Sequence, residues 1–437
     1  MSTSATAKGR ALISEEAAQY RVPKEYNQAV VLQSQLVRKY FEDVAAAAAK
    51  GKKIAYGLVE ANPIEILRLF DIPVVYPEVF SLQISYKGGA LPLMLAAENE
   101  GYSTDCCSYV KSGVAAIPPI GTGQTPLGYV PKPDIAVLTY SGCQIYIHWW
   151  EQYHYWTGAK IFTIDIPYVR DYERDHYVPR HDVRYVADQL MDVISQLEQL
   201  TGIRYSEEKL REILTYTADA WDHWRMALEM GKRVPTPLDG YFEAIYYMSL
   251  ITLTRGDKTT ADYYRFLVDE LQRRAEAGIG PTPEEQFRLV FEGVPNYPYY
   301  KDWWSLFKRW NARGVAGTYP KVAGVVDYFR FNPDKPIETI AEYMIHAYCN
   351  WNMLMRADLL KYYVDAYKAD GVVIHSIKSC RSFSMGQGDF KEYFVGMDVP
   401  TLMIESDHVD PRYYSDAQMR NRIDAFFESL ALRKGLK

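Results

Sequence analysis

The chain has 437 residues, 48% of them apolar and 24% charged, with a formal net charge of -6. That is long enough for two hydrophobic cores, too apolar for a disordered chain, and without the basic excess of a nucleic-acid binder. No window reaches the roughly eighteen consecutive apolar residues that span a bilayer, Met1–Leu12 read as a loose terminus without a signal-peptide pattern, and five irregularly spaced cysteines argue for reduced thiols in the cytoplasm over a disulfide framework.

In chain order, residues 1–50 form an amino-terminal helical segment, in which Val30, Leu32, Leu36, Val37 and Phe41 recur at helical intervals across Tyr26–Lys50. Residues 51–180 read as a first α/β domain. Lys53–Gly57 and Ile72–Val75 are short buried strands flanking a helix over Pro63–Phe70, and Asp134–Thr139 and Lys160–Ile164 repeat the pattern around a helix at Ile145–Trp156. Residues 181–280 are mainly helical, with apolar residues three and four apart through Val186–Leu200 and Glu207–Met230. Residues 281–437 form a second α/β domain, with strands expected at Phe287–Phe291, Val322–Tyr328, Gly371–His375 and Thr401–Ile404 and helices at Ile337–Tyr348, Arg356–Lys368 and Asp416–Leu432. The fold class is therefore α/β: two parallel-sheet domains of the Rossmann or flavodoxin kind with a helical elaboration.

Three cysteines stand out because each lies in a turn-like setting far from the others: Cys107, Cys143 and Cys380. Cys143 and Cys380 follow the ends of predicted strands, one in each α/β domain, where open parallel sheets bind ligands. A cofactor held by both would lie in the interdomain crevice, with Cys107 closing the triangle. Three thiolates can hold an iron-sulfur cluster while leaving one iron open. Zinc sites favour close Cys-x-x-Cys pairs, and none occurs here. Cys106 precedes Cys107 in a stretch read as extended, so the two side chains point to opposite sides, and Cys349 reads as core. A nucleophilic cysteine served by His148, His375 or His408 matches no Cys/His signature, and the Gly121-Thr-Gly123 loop lacks the third glycine of a dinucleotide fingerprint. His148 and His375 are the candidate proton donors near the site. The aromatic run Trp149, Trp150, Tyr153, Tyr155 and Trp156 reads as core packing for the most part.

Thr104-Asp-Cys-Cys-Ser-Tyr109, Thr139-Tyr-Ser-Gly-Cys143, Lys368-Ala-Asp-Gly-Val-Val373 followed by Ser379-Cys380, and Arg420-Asn-Arg-Ile-Asp-Ala-Phe426 with Glu428 together resemble one family. It is that of the cluster subunits of 2-hydroxyacyl-CoA dehydratases and benzoyl-CoA reductases, and the similarity runs from about Ile54 to the carboxyl terminus. Within it, length and the surroundings of Cys107 look closer to the larger, B-type subunit of ATP-dependent benzoyl-CoA reductase. The resemblance implies that Cys107, Cys143 and Cys380 ligate one 4Fe-4S cluster with one open iron position. Cys106 departs from the aliphatic residue common before the first ligand.

The resemblance further implies a second, homologous cluster-binding subunit, an ATP-hydrolysing iron-sulfur activator and ferredoxin as the indirect electron donor; this chain has no Gly-Lys-Ser/Thr phosphate loop. The substrate would be an aromatic acyl-CoA, reduced in low-potential single-electron steps to a cyclic dienoyl-CoA. Two alternatives stay open: an (R)-2-hydroxyacyl-CoA dehydratase acting through a ketyl radical, and an electron-relay or scaffold subunit whose partner binds the substrate.

Overall fold

The computed structural model describes residues 12–125, 128–169, 178–321 and 327–436. Its strands are β1 (Ala55–Tyr56), β2 (Val74–Val75), β3 (Gln124–Thr125), β4 (Gly128–Tyr129), β5 (Ile135–Tyr140), β6 (Lys160–Asp165), β7 (Phe287–Glu292), β8 (Ala312–Gly317), β9 (Gly371–Ile377) and β10 (Thr401–Ser406). Eight of them make two parallel four-stranded sheets, ordered β2-β1-β5-β6 and β10-β9-β7-β8, while β3 and β4 form a separate antiparallel pair. In the first sheet the chain steps outward from β1 to the β2 edge and then returns through β5 to β6; in the second it steps outward from β7 to the β8 edge and then returns through β9 to β10. Numbered within its own sheet, each therefore runs second, first, third, fourth, and the two sheets share one topology. Both change winding direction between their first and third strands, β1/β5 and β7/β9.

The strand sequences explain the parallel arrangement. Ile135, Ala136, Val137 and Leu138 are all buried, as are Val372, Val373 and Ile374, so both faces of these central strands are covered, as parallel strands require. β5 pairs with β6 from Ile135↔Lys160 to Tyr140↔Asp165, and β9 with β10 from Val372↔Thr401 to Ile377↔Ser406. The strand expected over Val322–Tyr328 falls mostly outside the described residues, and the second sheet takes its fourth strand from Ala312–Gly317. That segment carries two glycines and an arginine, a poor strand composition. Gly314 admits the Asp239 carboxylate, whose Oδ2 accepts the Gly314 N–H at 2.9 Å, and Arg313 is buried with its guanidinium bonded to the Thr236 and Thr282 carbonyls.

The helical region, which includes Arg180–Thr201, Glu207–Glu229 and Lys258–Glu276, braces the first sheet. Arg255 donates to Glu65 Oε1 at 2.6 Å and to the Asn62 carbonyl at 2.7 Å, with both side chains of the ion pair fully buried. The helix Gln28–Ala49 starts against the same region, where Glu270 accepts the Gln28 and Ala29 N–H groups at 2.6 and 3.2 Å. That carboxylate satisfies amides that a helix leaves without internal partners. Among the described residues no helix is long and apolar enough to cross a membrane.

Candidate functional site

Cys143 lies three residues beyond the end of β5, and Cys380 three residues beyond the end of β9. Each thus occupies the equivalent turn of its own sheet, beyond the carboxyl end of the third strand and beside the point where winding reverses, where open α/β sheets bind ligands. The turn before Cys143 requires glycine: Gly142 has φ 96°, and a Cβ there would lie 2.2 Å from the Cys349 carbonyl oxygen. Cys380 is the residue before the short helix Arg381–Ser384, and Cys107 the residue before Ser108–Ala116. The latter helix approaches Ile145–Thr157 closely because Gly113 lies flat against Trp149, where a Cβ would come within 2.3 Å of the indole.

These turns bring the three thiols together. Burial pushes the Cys107 thiol well above its usual range, and Cys380 and Cys143 push it further; burial does the same to Cys143, followed by Cys380 and Glu78. Cys380 is pushed up to about 11, again chiefly by burial. Opposing this, main-chain amides point at each sulfur: those of Tyr109 and Val110 at Cys107, Ile145 at Cys143, and Ser382 and Phe383 at Cys380. Three converging, half-buried thiols with amide donors aimed at them suit thiolates bound to a cationic centre better than neutral groups. Among the described residues no three His, Cys, Asp or Glu side chains are grouped to hold a single metal ion, whose sulfur donors sit within roughly 4 Å of one another. Thiolate sulfur is the donor type that iron-sulfur clusters take.

The stretch before Cys107 is a turn and not the extended segment expected, with the Cys106 N–H bonded to the Ser103 carbonyl at 3.0 Å. The Cys106 thiol faces Tyr102 and Lys111, away from the other sulfurs. Lys111 is buried and fastens this turn, donating to the Thr104 carbonyl and to Glu98, both at 2.8 Å. Cys349 stands at the edge of the cluster of thiols, within electrostatic reach of Cys143 and Cys380, and its N–H donates to Glu60 Oε1 at 2.7 Å.

The two candidate histidines are placed differently. His148 is on the exposed face of Ile145–Thr157, bonded to Glu151 at 3.0 Å, while Tyr146, Trp149, Trp150 and Tyr153 turn inward. Tyr155 is 83% exposed and does not share the core role expected for the run. His375 is buried within β9 and both ring nitrogens are engaged, one by the Val294 carbonyl and one by Ser406 Oγ at 2.6 Å. Burial lowers it to about 4, so it is neutral at physiological pH.

Two carboxyls that sequence reasoning missed lie within electrostatic reach of Cys143. Glu60 is raised to about 8, chiefly by burial, with the Cys349 amide opposing and Glu78 adding to the rise. Glu78 is raised to about 7 by burial, against donors from the Tyr146 hydroxyl and the Val59 N–H at 2.7 Å. The available signal was an isolated acidic residue within each of two apolar stretches, Gly57–Ala61 and Pro77–Phe80.

Beside these groups opens an apolar cavity of about 780 Å³, running from the helix Gln28–Ala49 inward to Val59, Val79, Tyr297 and Tyr319. Tyr319 joins the cavity to the thiols. Its hydroxyl accepts from Tyr297 at 2.9 Å and is pushed up to about 12, chiefly by burial, with Glu78 and Cys380 contributing. Arg38 and Lys87 lie along the outer wall.

A family model described as 2-hydroxyglutaryl-CoA dehydratase, D-component, matches residues 61–430. The B-type subunit of benzoyl-CoA reductase from Thauera aromatica is 34% identical over 411 residues, covering 91% of this chain and 94% of its own. The alpha subunit of lactoyl-CoA dehydratase from Anaerotignum propionicum is 26% identical, covering 89% of this chain and 93% of its own. The alpha subunit of (R)-2-hydroxyisocaproyl-CoA dehydratase from Clostridioides difficile is 25% identical, with coverages of 94% and 98%.

Proposed function

Because the chain belongs to the 2-hydroxyglutaryl-CoA dehydratase D-component family, we propose that it is the cluster-bearing subunit of a complex that reduces an aromatic acyl-CoA. The convergence of Cys107, Cys143 and Cys380 beyond equivalent strands of the two sheets carries this reading. We read those sheets as the cores of two Rossmann-like domains, with the three thiols in the crevice between them holding one 4Fe-4S cluster and leaving one iron open. Reduction is favoured over dehydration by the greater similarity to a benzoyl-CoA reductase subunit, 34% against 25–26% for the two dehydratase subunits.

When bound, the cluster supplies single electrons at low potential. The chain's own residues do the rest. The apolar cavity takes the acyl group and its pantetheine arm, Tyr297 and Tyr319 meet the acyl end, and Arg38 and Lys87 supply positive charge for the coenzyme A phosphates. Glu60 and Glu78, at about 8 and 7, hold protons near neutral pH and can release them beside Cys143. They suit proton donation better than His148, which faces solvent, or His375, whose nitrogens are both engaged.

Such a subunit works with a second, homologous cluster-binding subunit, and an ATP-hydrolysing iron-sulfur activator relays electrons from ferredoxin. The test is an anaerobic assay of the complete complex with ATP and dithionite, offering benzoyl-CoA and a 2-hydroxyacyl-CoA in parallel. The expected product is a cyclic dienoyl-CoA from the first substrate. Turnover of the second alone, to an enoyl-CoA, assigns the chain to a dehydratase.

A further inference from the structure

We propose that Asp407 is a positioning residue that locks the Cys107 and Cys380 turns together and holds the potential of the cluster between them low. The inference rests on the cluster assignment above. Asp407 follows the last residue of β10, the edge strand of the second sheet, and is fully buried. Its Oδ1 accepts from the Ser108 hydroxyl at 2.6 Å, and its Oδ2 accepts from the Ser379 N–H at 2.9 Å.

Those two serines are the immediate neighbours of two candidate ligands, Ser108 of Cys107 and Ser379 of Cys380. They also bond to each other, the Ser108 N–H donating to Ser379 Oγ at 3.2 Å and the hydroxyls lying 3.0 Å apart, across a separation of 271 residues. The carboxylate is further anchored by the Val409 and Asp410 N–H groups, both at 3.0 Å. Four donors on one buried side chain favour the ionised form, whose oxygens only accept. The His408 ring lies 3.6 Å from Oδ1 and packs on Tyr109, and burial lowers it from its ordinary value, which favours the neutral ring.

Two consequences follow for the thiols. The turns bearing Cys107 and Cys380 cannot separate without breaking bonds to one carboxylate. A fixed negative charge one residue from each ligand also opposes adding an electron between them, because net charge and hydrogen bonding set the potential of an iron-sulfur centre. Low potential is what an aromatic acyl-CoA demands of its donor.

The test compares the wild-type complex with Asp407→Asn by anaerobic redox titration followed by EPR, with iron counted in the same samples. The amide keeps the side-chain shape and removes the charge. We expect the one-electron equilibrium to shift at least tenfold toward the reduced form, about 59 mV more positive, with iron retained. An unchanged midpoint at full iron content overturns the proposal. Should the variant fail to fold or lose its iron in purification, Ser108→Ala decides: it keeps the charge and removes the shortest bond. Iron loss to a chelator at least threefold faster, with an unchanged melting temperature of the iron-free complex, supports the proposal; a wild-type rate overturns it. A wild-type complex without a cluster sinks the proposed function and is recognised before either variant is made.

Discussion

Among the described residues no cation bonds the Glu60 carboxylate, and burial outweighs the amide and thiol of Cys349 that donate to it, so it keeps its proton at neutral pH. Glu60→Gln removes the titrating group with little change in shape, and we expect turnover to fall on the order of 10²-fold, with the pH profile losing its dependence on a group near 8. Stability gives a separate reading. A carboxyl raised in the folded state binds a proton that the unfolded chain has released between about 4.5 and 8, so this group makes the wild type less stable as pH rises through that window. The melting temperature of Glu60→Gln should fall less than that of the wild type over the same range. Among the cysteines, Cys106→Ser and Cys349→Ser should keep full iron, since the first thiol faces Tyr102 and Lys111 and the second is engaged with Glu60. Iron lost from Cys349→Ser would make that thiol a fourth ligand and close the open position.

At the scale of elements, the site depends on two turns and a brace. Gly142→Ala places a side chain on the Cys349 carbonyl in a left-handed backbone, and a non-glycine residue there costs about 1–3 kcal/mol before the collision is added. A thermal melt of the iron-free protein should show the loss, and the holoprotein should release iron faster. The Arg255–Glu65 pair joins the helical region to the first sheet with both charges buried. Arg255→Ala leaves an unpaired carboxylate in the core and should cost about 3–5 kcal/mol in a denaturant titration. The elements legible in the sequence were those built from periodic or continuous apolar runs: Ile135–Tyr140, Gly371–Ile377 and Thr401–Ser406 were each anticipated to within two residues. Ala312–Gly317 was not, because its glycines answer to the neighbouring 239–241 segment and its arginine to a buried carbonyl cage, both set by tertiary packing.

For the whole molecule, the two sheets have the same strand order and each presents one cysteine three residues past its third strand. That symmetry explains why the thiols could be singled out from the chain alone: turns after strands carry their own local signature, and the family motifs lie on them. Glu60 and Glu78 gave only the weak signal of an acid within an apolar stretch and Asp407 gave none, since an acidic residue declares its burial only when elements distant in the chain close around it. We propose that the crevice between the sheets holds an iron-sulfur cluster on Cys107, Cys143 and Cys380. The most direct test is iron and acid-labile sulfide counted per chain after anaerobic purification, for the wild type beside Cys107→Ser, Cys143→Ser and Cys380→Ser. A brown wild type with roughly four irons for this chain, and loss of that iron in all three variants, is the predicted result; a colourless wild type, or iron retained in any of the three, contradicts it.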